Sequence, residues 1–329
     1  MYNFALIIIH ICMKNKNFIE KELLLVKNLI KDEIIEERSI KELYRYIFQS
    51  DGKRLRAKLS LLSSSKNKRI YKKRIELAAV IELLHTATLV HDDVVDNSSK
   101  RRGITSVNKV WSNAHGVLIG DYIYSKAFML MVKIGKQDIL SELANATNDI
   151  SKGELIQLDA LNNTRIKLND LENISYFKTG RLFEAAAKSG ALLANSDNHF
   201  KKNISECAKN LGILFQIKDD LLDYSTHSKK LGKPIFQDLR EGKVTYPFYF
   251  AYKKASKAEK LNLESFLGKS NLNKKVAYEL IEKLGGIKKT ELLAATYFKK
   301  ATQKANLIKD EYIKQEMLKL IILALNREK

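Results

Sequence analysis

Two stretches of this chain place carboxylates one helical turn apart. The first, His91-Asp92-Asp93-Val94-Val95-Asp96, closes the apolar run Ile81-Glu82-Leu83-Leu84-His85-Thr86-Ala87-Thr88-Leu89-Val90. An i, i+4 relation puts Asp92 and Asp96 on one helix face, and His85, two turns earlier, shares it. The second stretch is Gln216-Ile217-Lys218-Asp219-Asp220-Leu221-Leu222-Asp223, preceded by Leu211-Gly212-Ile213-Leu214-Phe215. Here Gln216, Asp219 and Asp223 stand at i, i+3 and i+7, again on one face. A single pair of this kind is as often a solvated helix surface as a site. Two pairs, each in an apolar helix that ought to be buried, require a cation, because buried unpaired carboxylates cost several kcal/mol. Ligands that are all oxygen select a hard cation, and sites with open positions suit Mg²⁺ bridging to phosphate oxygens. A bound diphosphate is the group this chemistry implies.

Cations that could complement a diphosphate recur near glycines. They are Gly52-Lys53-Arg54-Leu55-Arg56, Arg101-Arg102-Gly103, Lys178-Thr179-Gly180-Arg181, and Lys233 and Lys243 in a long loop. Each cluster by itself reads as a solvated basic face. Together, at glycine-marked element ends where backbone N–H groups also meet anions, they favour an anion-binding reading.

The elements that must carry these residues are helices. The 329 residues contain only two prolines, Pro234 and Pro247, and fourteen glycines, while Leu, Ile, Lys, Ala and Glu dominate. That composition gives an all-α chain with few obligatory turns. Apolar periodicity predicts helices over Phe18–Ile47, Arg74–Val95, Val117–Lys133, Ile139–Asn162, Leu168–Ala194, Asn203–Leu222, Tyr246–Ser265 and Lys274 to the end. A polar loop covers Asn97–Gly103, and the stretch from Tyr224 to Pro247, which holds both prolines, is a long loop of the kind that serves as a lid. No repeat or linker marks a domain boundary, so residues 1–17 read as an N-terminal extension and 18–329 as one domain.

The formal charge of +20, from 58 basic and 38 acidic residues, raises nucleic-acid binding as an alternative. The lysines are spread along the chain rather than gathered in a stripe, which favours compositional bias, with anionic substrates or an anionic membrane surface as a secondary benefit. Two acidic motifs would also repel a phosphate backbone. Cys12 and Cys207 have no disulfide or metal-ligand spacing, which fits a reducing cytoplasm. The apolar stretch Phe4–Cys12 is far shorter than the ~20 residues that span a bilayer.

With these motifs in order, the chain from about Phe18 resembles the trans-polyprenyl diphosphate synthase family. The resemblance rests on Gly52-Lys53-Arg54-Leu55-Arg56, His85, Asp92 to Asp96 with Arg101-Arg102, Gly120-Asp121, Lys178-Thr179-Gly180, Phe215-Gln216 with the second aspartate motif, and Gly232-Lys233 with Asp238-Leu239-Arg240-Glu241-Gly242-Lys243. It implies a single large helical bundle of the isoprenoid synthase type around a deep central cavity. It also implies a prenyltransferase that condenses isopentenyl diphosphate onto an allylic diphosphate. Asp92 and Asp96 would hold two Mg²⁺ and Asp219 a third. Lys53, Arg56, His85 and Arg102 would bind the diphosphate of isopentenyl diphosphate. Arg101, Lys178, Lys233 and Lys243 would hold that of the allylic chain. Thr179 and Gln216 would stabilise the allylic cation with oxygen dipoles. A homodimer, with transient contact to a membrane surface for product release, follows from the same resemblance. Ala57 departs from the family, which often has proline after the Gly-Lys-Arg-x-Arg run.

Product length has a steric reading. The residues four and five before Asp92 are Thr88 and Ala87, whereas the resembling short-chain synthases carry an aromatic ring at one or both. Small residues there argue for a long product, octaprenyl by this reading and feeding quinone side chains, with medium-chain, nona- and decaprenyl products as alternatives. Phe128, Met129 and Met131 are candidates for the floor that stops growth. A class I terpene cyclase and a non-catalytic subunit of a heteromeric synthase remain as competing functions. The first typically lacks a second aspartate motif, and the second is weakened because every expected chemical position is filled.

Overall fold

A computed structural model describes residues 18–32, 35–50, 52–65, 71–224, 236–269 and 271–327. The apolar stretch Phe4–Cys12, Gly232 and Lys233 lie outside the described residues. In chain order the elements are α1 (18–31), α2 (Arg38–Phe48), α3 (Leu55–Ser63) and α4 (Tyr71–Val95), then a hairpin of β1 (Lys100–Arg101) and β2 (Ile104–Thr105). After it come α5 (Val107–Val110), α6 (Asn113–Ile134), α7 (Gln137–Asp159), α8 (Leu168–Ser175), a π-turn (Tyr176–Gly180), α9 (Arg181–Leu193) and α10 (Asn198–Asp223). The chain continues through α11 (Gln237–Arg240), α12 (Tyr246–Lys254), α13 (Lys257–Glu264), α14 (Lys274–Lys283), α15 (Gly286–Asn306) and α16 (Glu311–Leu325). The all-α architecture expected from composition is what the chain adopts.

The differences from the periodicity reading lie at breaks that do not interrupt the apolar pattern. The stretch expected over 18–47 is two helices, since Glu37 is extended ahead of α2. The stretch Tyr246–Ser265 divides where Ser256 caps α13: its hydroxyl accepts from the Glu259 amide while the Glu259 carboxylate accepts from the Ser256 amide. The π-turn inside Leu168–Ala194 adds one residue to a helical turn, too small a phase change for periodicity to register. The expected loop after α4 is instead a hairpin, in which Arg102 (φ 50°) and Gly103 (φ 84°) form a two-residue turn with both φ positive.

The chain divides into two compact units. One comprises the residues up to Ala144 with Ala185–Ser205 and Ile308–Glu316, and it holds the first aspartate motif. The other comprises Asn145–Glu184, Glu206–Leu307 and the residues from Met317 on, and it holds the second.

In the first unit α4 is the spine. Leu77, Ala78, Ala79, Val80, Ile81 and Leu84 have no exposed surface. The helix α6 lies against it, and glycine permits the contact: a Cβ on Gly116 would come 2.5 Å from Val94, and one on Gly120 would come 2.2 Å from His91 Nε2. At its other end α4 buries Arg74 completely, with its guanidinium on both oxygens of Glu22 at 2.9 and 3.0 Å, on the Leu61 carbonyl at 2.8 Å and on the Ser64 hydroxyl at 3.1 Å. This pair fastens α1 and α3 to α4. Burial pushes the Glu22 carboxyl up to about 7, although Arg74 pulls it down.

In the second unit α12 packs on α14 and α15. The buried Tyr246 hydroxyl meets Ser175 at 2.9 Å, and Tyr297 donates to Glu172 at 2.8 Å, linking α8 to α12 and α15.

Replacing Arg74 by Ala strands the buried Glu22 carboxylate and leaves the Leu61 carbonyl without its donor. The expected loss is about 3–5 kcal/mol in denaturant-induced unfolding. A loss under about 1 kcal/mol would show that water or a shifted side chain replaces the guanidinium.

Candidate active site

In the first unit the aspartate motif sits at the C-terminal end of α4. The Asp96 amide still bonds to the Asp92 carbonyl at 2.8 Å, so the helical turn that sets Asp92 and Asp96 on one face is intact. Both are partly exposed, whereas Asp93 is buried. Asp93 accepts from Arg101 Nε at 2.8 Å and Nη2 at 2.5 Å. Burial raises the Asp93 carboxyl, and Arg101 pulls it back. The same guanidinium lies within electrostatic reach of Asp92 and Asp96, so the hairpin delivers Arg101 to the motif through its middle aspartate.

The hairpin turn also presents Arg102. Its guanidinium covers Gly52 so closely that a Cβ there would lie 2.8 Å from Arg102 Cζ, which explains the glycine of the Gly-Lys-Arg-Leu-Arg run. Arg54, with φ 47°, begins α3, and Arg56 Nη1 stands 3.0 Å from His85 Nε2. Since a guanidinium can only donate, His85 Nε2 is the acceptor and Nδ1 carries the proton. Burial, then Arg56, Arg102 and Arg101, push His85 well below its ordinary range. It is therefore neutral at physiological pH and retains one N–H to offer an anion. These four residues, drawn from three sequence regions, form one positive cluster. Lys53 is exposed beside it.

The support for this cluster lies outside the motifs that the sequence reading selects. Glu82, buried three residues before His85, accepts from the Ala57 amide at 3.1 Å and so caps the first turn of α3. It is held up by burial and pulled down by that bond and by Arg56, Arg102 and Arg54. Its position inside an apolar run, nearly three turns of helix before Asp92, was the available signal.

In the second unit Gln216, Asp219, Asp220 and Asp223 lie on α10. Thr179 Oγ1 donates to Gln216 Oε1 at 2.7 Å, and Gln216 Nε2 donates to Asp220 Oδ1 at 2.9 Å. The π-turn positions this chain by swinging Thr179 and Lys178 out of simple helical register. Lys178 Nζ donates to Glu154 at 2.9 Å and Gln157 at 2.7 Å, two α7 residues that no sequence motif singles out. Burial and the nearby Asp238 push Asp220 well up, while Gln216 and the Tyr246 amide oppose the shift. Asp223 caps α11, accepting from the Gln237 and Asp238 amides at 3.0 and 3.2 Å, yet burial and Asp238 still push it up to about 8. Lys243, almost buried, pairs with Glu241 at 2.7 Å. Asp219 Oδ1 pairs with Arg327 Nη1 at 3.0 Å, a contact that the motifs do not foretell.

Among the described residues no three His, Cys, Asp or Glu side chains converge as a self-sufficient metal cage. Asp92 and Asp96 on one face of α4, and Asp219 on α10, are the oxygens that would hold a hard divalent ion such as Mg²⁺, which would supply charge withdrawal from a bound anion. Asp219 is already paired with the Arg327 guanidinium. Nor is any helix among the described residues long and apolar enough to cross a membrane.

A helical scaffold carries two acidic motifs, each with arginine close by in its own unit. The polyprenyl synthetase family matches residues 37–284, and the chain belongs to it. Octaprenyl diphosphate synthase of Escherichia coli strain K12 is 40% identical over 212 residues, 64% of this chain and 66% of that protein. The chain thus spans just under two thirds of that relative. The geranyl-diphosphate-specific all-trans-nonaprenyl-diphosphate synthase of Rhodobacter capsulatus is 33% identical over 287 residues, 86% of this chain and 87% of its own. Among solved structures, the polyprenyl synthase of Caulobacter crescentus CB15, complexed with calcium and isoprenyl diphosphate, superposes with a TM-score of 0.89 at 32% identity, covering 95% of this chain and 97% of that one.

Neutral His85 has a consequence for stability. Below about pH 6.5 the unfolded chain takes up a proton that the folded imidazole refuses, so this contribution is full above that pH and is lost as pH falls toward the folded value. Thermal unfolding of His85→Gln, which can still accept from Arg56, is expected to depend less on pH between about 5 and 7 than the wild type. Parallel curves would mean that other groups govern that window.

Proposed function

We propose that this chain is a prenyltransferase that condenses isopentenyl diphosphate units onto an allylic diphosphate, farnesyl diphosphate being the expected primer, to give a long all-trans polyprenyl diphosphate. The observation that carries this reading is the pair of acidic motifs on α4 and α10, each with a part-exposed carboxylate close to an arginine, Arg101 beside Asp92 and Asp96 and Arg327 beside Asp219. The relatives named above for octaprenyl and nonaprenyl products support a long chain. Octaprenyl is the first reading, for quinone side chains, and a longer product is the second.

In this reading Asp92, Asp96 and Asp219 hold three Mg²⁺. Bound there, the ions supply charge withdrawal from the allylic diphosphate as its C–O bond breaks. Arg56, His85 and Arg102, with Lys53, seat the diphosphate of isopentenyl diphosphate. His85 donates through Nδ1 without adding a charge, and the guanidiniums provide planar, paired donors. Arg101, Lys178 and Lys243, with Lys233, take the allylic diphosphate. For Arg101 and Lys178 this means sharing or exchanging their bonds to Asp93 and Glu154. Thr179 donates its hydroxyl hydrogen bond to Gln216, leaving the lone pairs of Thr179 Oγ1 and the second lone pair of Gln216 Oε1 to stabilise positive charge on carbon.

Thr88 and Ala87 set the depth available to the product. Thr88 is partly exposed, its hydroxyl returned to the His85 carbonyl at 2.7 Å, and it stands one turn below Asp92, whereas Ala87 is fully buried. Of the candidate floor residues, Met131 is buried, while Phe128 and Met129 are exposed on α6. A homodimer is part of the proposal. The α6 surface leaves Leu118, Met129 and Val132 about two thirds exposed, an apolar face that a second copy would cover.

Incubation with Mg²⁺, farnesyl diphosphate and labelled isopentenyl diphosphate should yield a ladder ending in a long product. A cyclic hydrocarbon, or no incorporation, would refute elongation. Asp92→Ala and Asp219→Ala should each lower turnover at least ~100-fold, and a variant retaining wild-type turnover would remove that residue from the metal set. Thr88→Phe should shorten the product with elongation retained. Ala87→Phe should shorten it too, at a cost of ~1–3 kcal/mol for overpacking a filled site. Unchanged product lengths in both would overturn the depth assignment.

A further inference from the structure

Arg327, which follows α16, is held in two ways by a single face of α10. Its guanidinium carbon lies 4.0 Å above the centre of the Phe215 ring, and Nη1 lies 3.0 Å from Asp219 Oδ1. Phe215 and Asp219 are one turn apart, so the ring and the carboxylate form a seat that fits a flat cation. The Arg327 side chain is 16% exposed and that of Asp219 35%, which marks a seated contact rather than a fluctuating surface pair. The surroundings explain why a cation belongs there. Asp219, Asp220 and Asp223 share the last turns of α10, and Asp238 lies on α11, whose first amides Asp223 caps, so four carboxylates crowd one end of α10. Asp220 is relieved by Gln216 and the Tyr246 amide, and Asp223 by two amides of α11. Arg327 brings a whole positive charge to Asp219.

We propose that Arg327 is a positioning residue for the metal site, an internal cation that holds Asp219 in the metal-free protein and must leave Oδ1 when a divalent ion binds. The proposal rests on Asp219 being a metal ligand, as argued above. A dication on that oxygen and a guanidinium 3 Å from it repel strongly at short range, so the two occupants exclude each other. Two effects follow. The acidic cluster is kept folded before metal arrives, and metal loading at Asp219 is weakened by competition, which makes that loading depend on the diphosphate that accompanies the ion.

The test uses the full-length protein with Mn²⁺ titrated by calorimetry and by electron paramagnetic resonance, in the presence of a fixed concentration of inorganic diphosphate. Arg327→Ala, and Arg327→Gln as a variant that keeps bulk over Phe215, should bind the Asp219-dependent Mn²⁺ about fivefold more tightly than wild type, the size of a partly exposed ion pair. Arg327→Lys should lie closer to wild type. A merely structural arginine predicts the opposite, weaker binding in a loosened site. Unchanged or weaker Mn²⁺ binding in both Ala and Gln variants, with Asp219→Asn losing an ion, overturns the role of Arg327 and leaves the metal assignment standing. If Asp219→Asn binds as many ions as wild type with the same affinity, Asp219 is not a ligand, and the assignment and this inference fail together.

Discussion

Carboxylates set on buried helices are the constraint around which this structure is arranged. Every one of them has to be answered by a donor or a cation, and the answers come from elements distant in sequence. Asp93 takes Arg101 from the hairpin, Glu82 takes the first turn of α3, Asp220 takes Gln216 and the Tyr246 amide, and Asp223 takes the first amides of α11. The buried members are thus fixed by partners inside their own unit, and they fasten short elements to long helices. The less buried ones, Asp92, Asp96 and Asp219, keep part of their surface exposed.

Each motif therefore performs two tasks with adjacent residues. One aspartate holds the scaffold while its neighbour a hundred degrees round the helix presents its oxygens outward. This coupling gives the local geometry its rigidity. The hairpin cannot lose its grip on Asp93 without moving Arg101 away from Asp92 and Asp96, and α11 cannot shift without releasing Asp223 beside Asp219. The charge balance follows the same economy. His85 supplies a donor to the basic cluster yet stays neutral, which spares that cluster a fourth like charge.

Much of this arrangement is legible in the order of the residues. Scarcity of proline and glycine, with 3.6-residue apolar periodicity, determines the helical class because no other backbone buries such a pattern. The spacing of Asp92 with Asp96, and of Gln216 with Asp219, fixes which side chains share a face as soon as the helix is granted. The glycines of the basic runs also announce themselves. Gly52 lies flat beneath Arg102, and Gly103 completes the tight turn that presents it.

What the sequence alone determined, then, is what depends on residues within about two turns of one another: helix class and which side chains share a face. Only the tertiary structure decided which charge meets which. That Arg101 closes on Asp93, that Glu82 caps α3, that Lys178 rests on Glu154 and Gln157, and that Arg327 sits on Asp219 are long-range outcomes. The π-turn at Tyr176–Gly180, invisible to periodicity, belongs with them. The physical reason is the same in each case. Ion pairs and caps are non-periodic, and any of 58 basic residues could in principle have answered any carboxylate until packing brought one guanidinium, ammonium or amide into contact and excluded the rest.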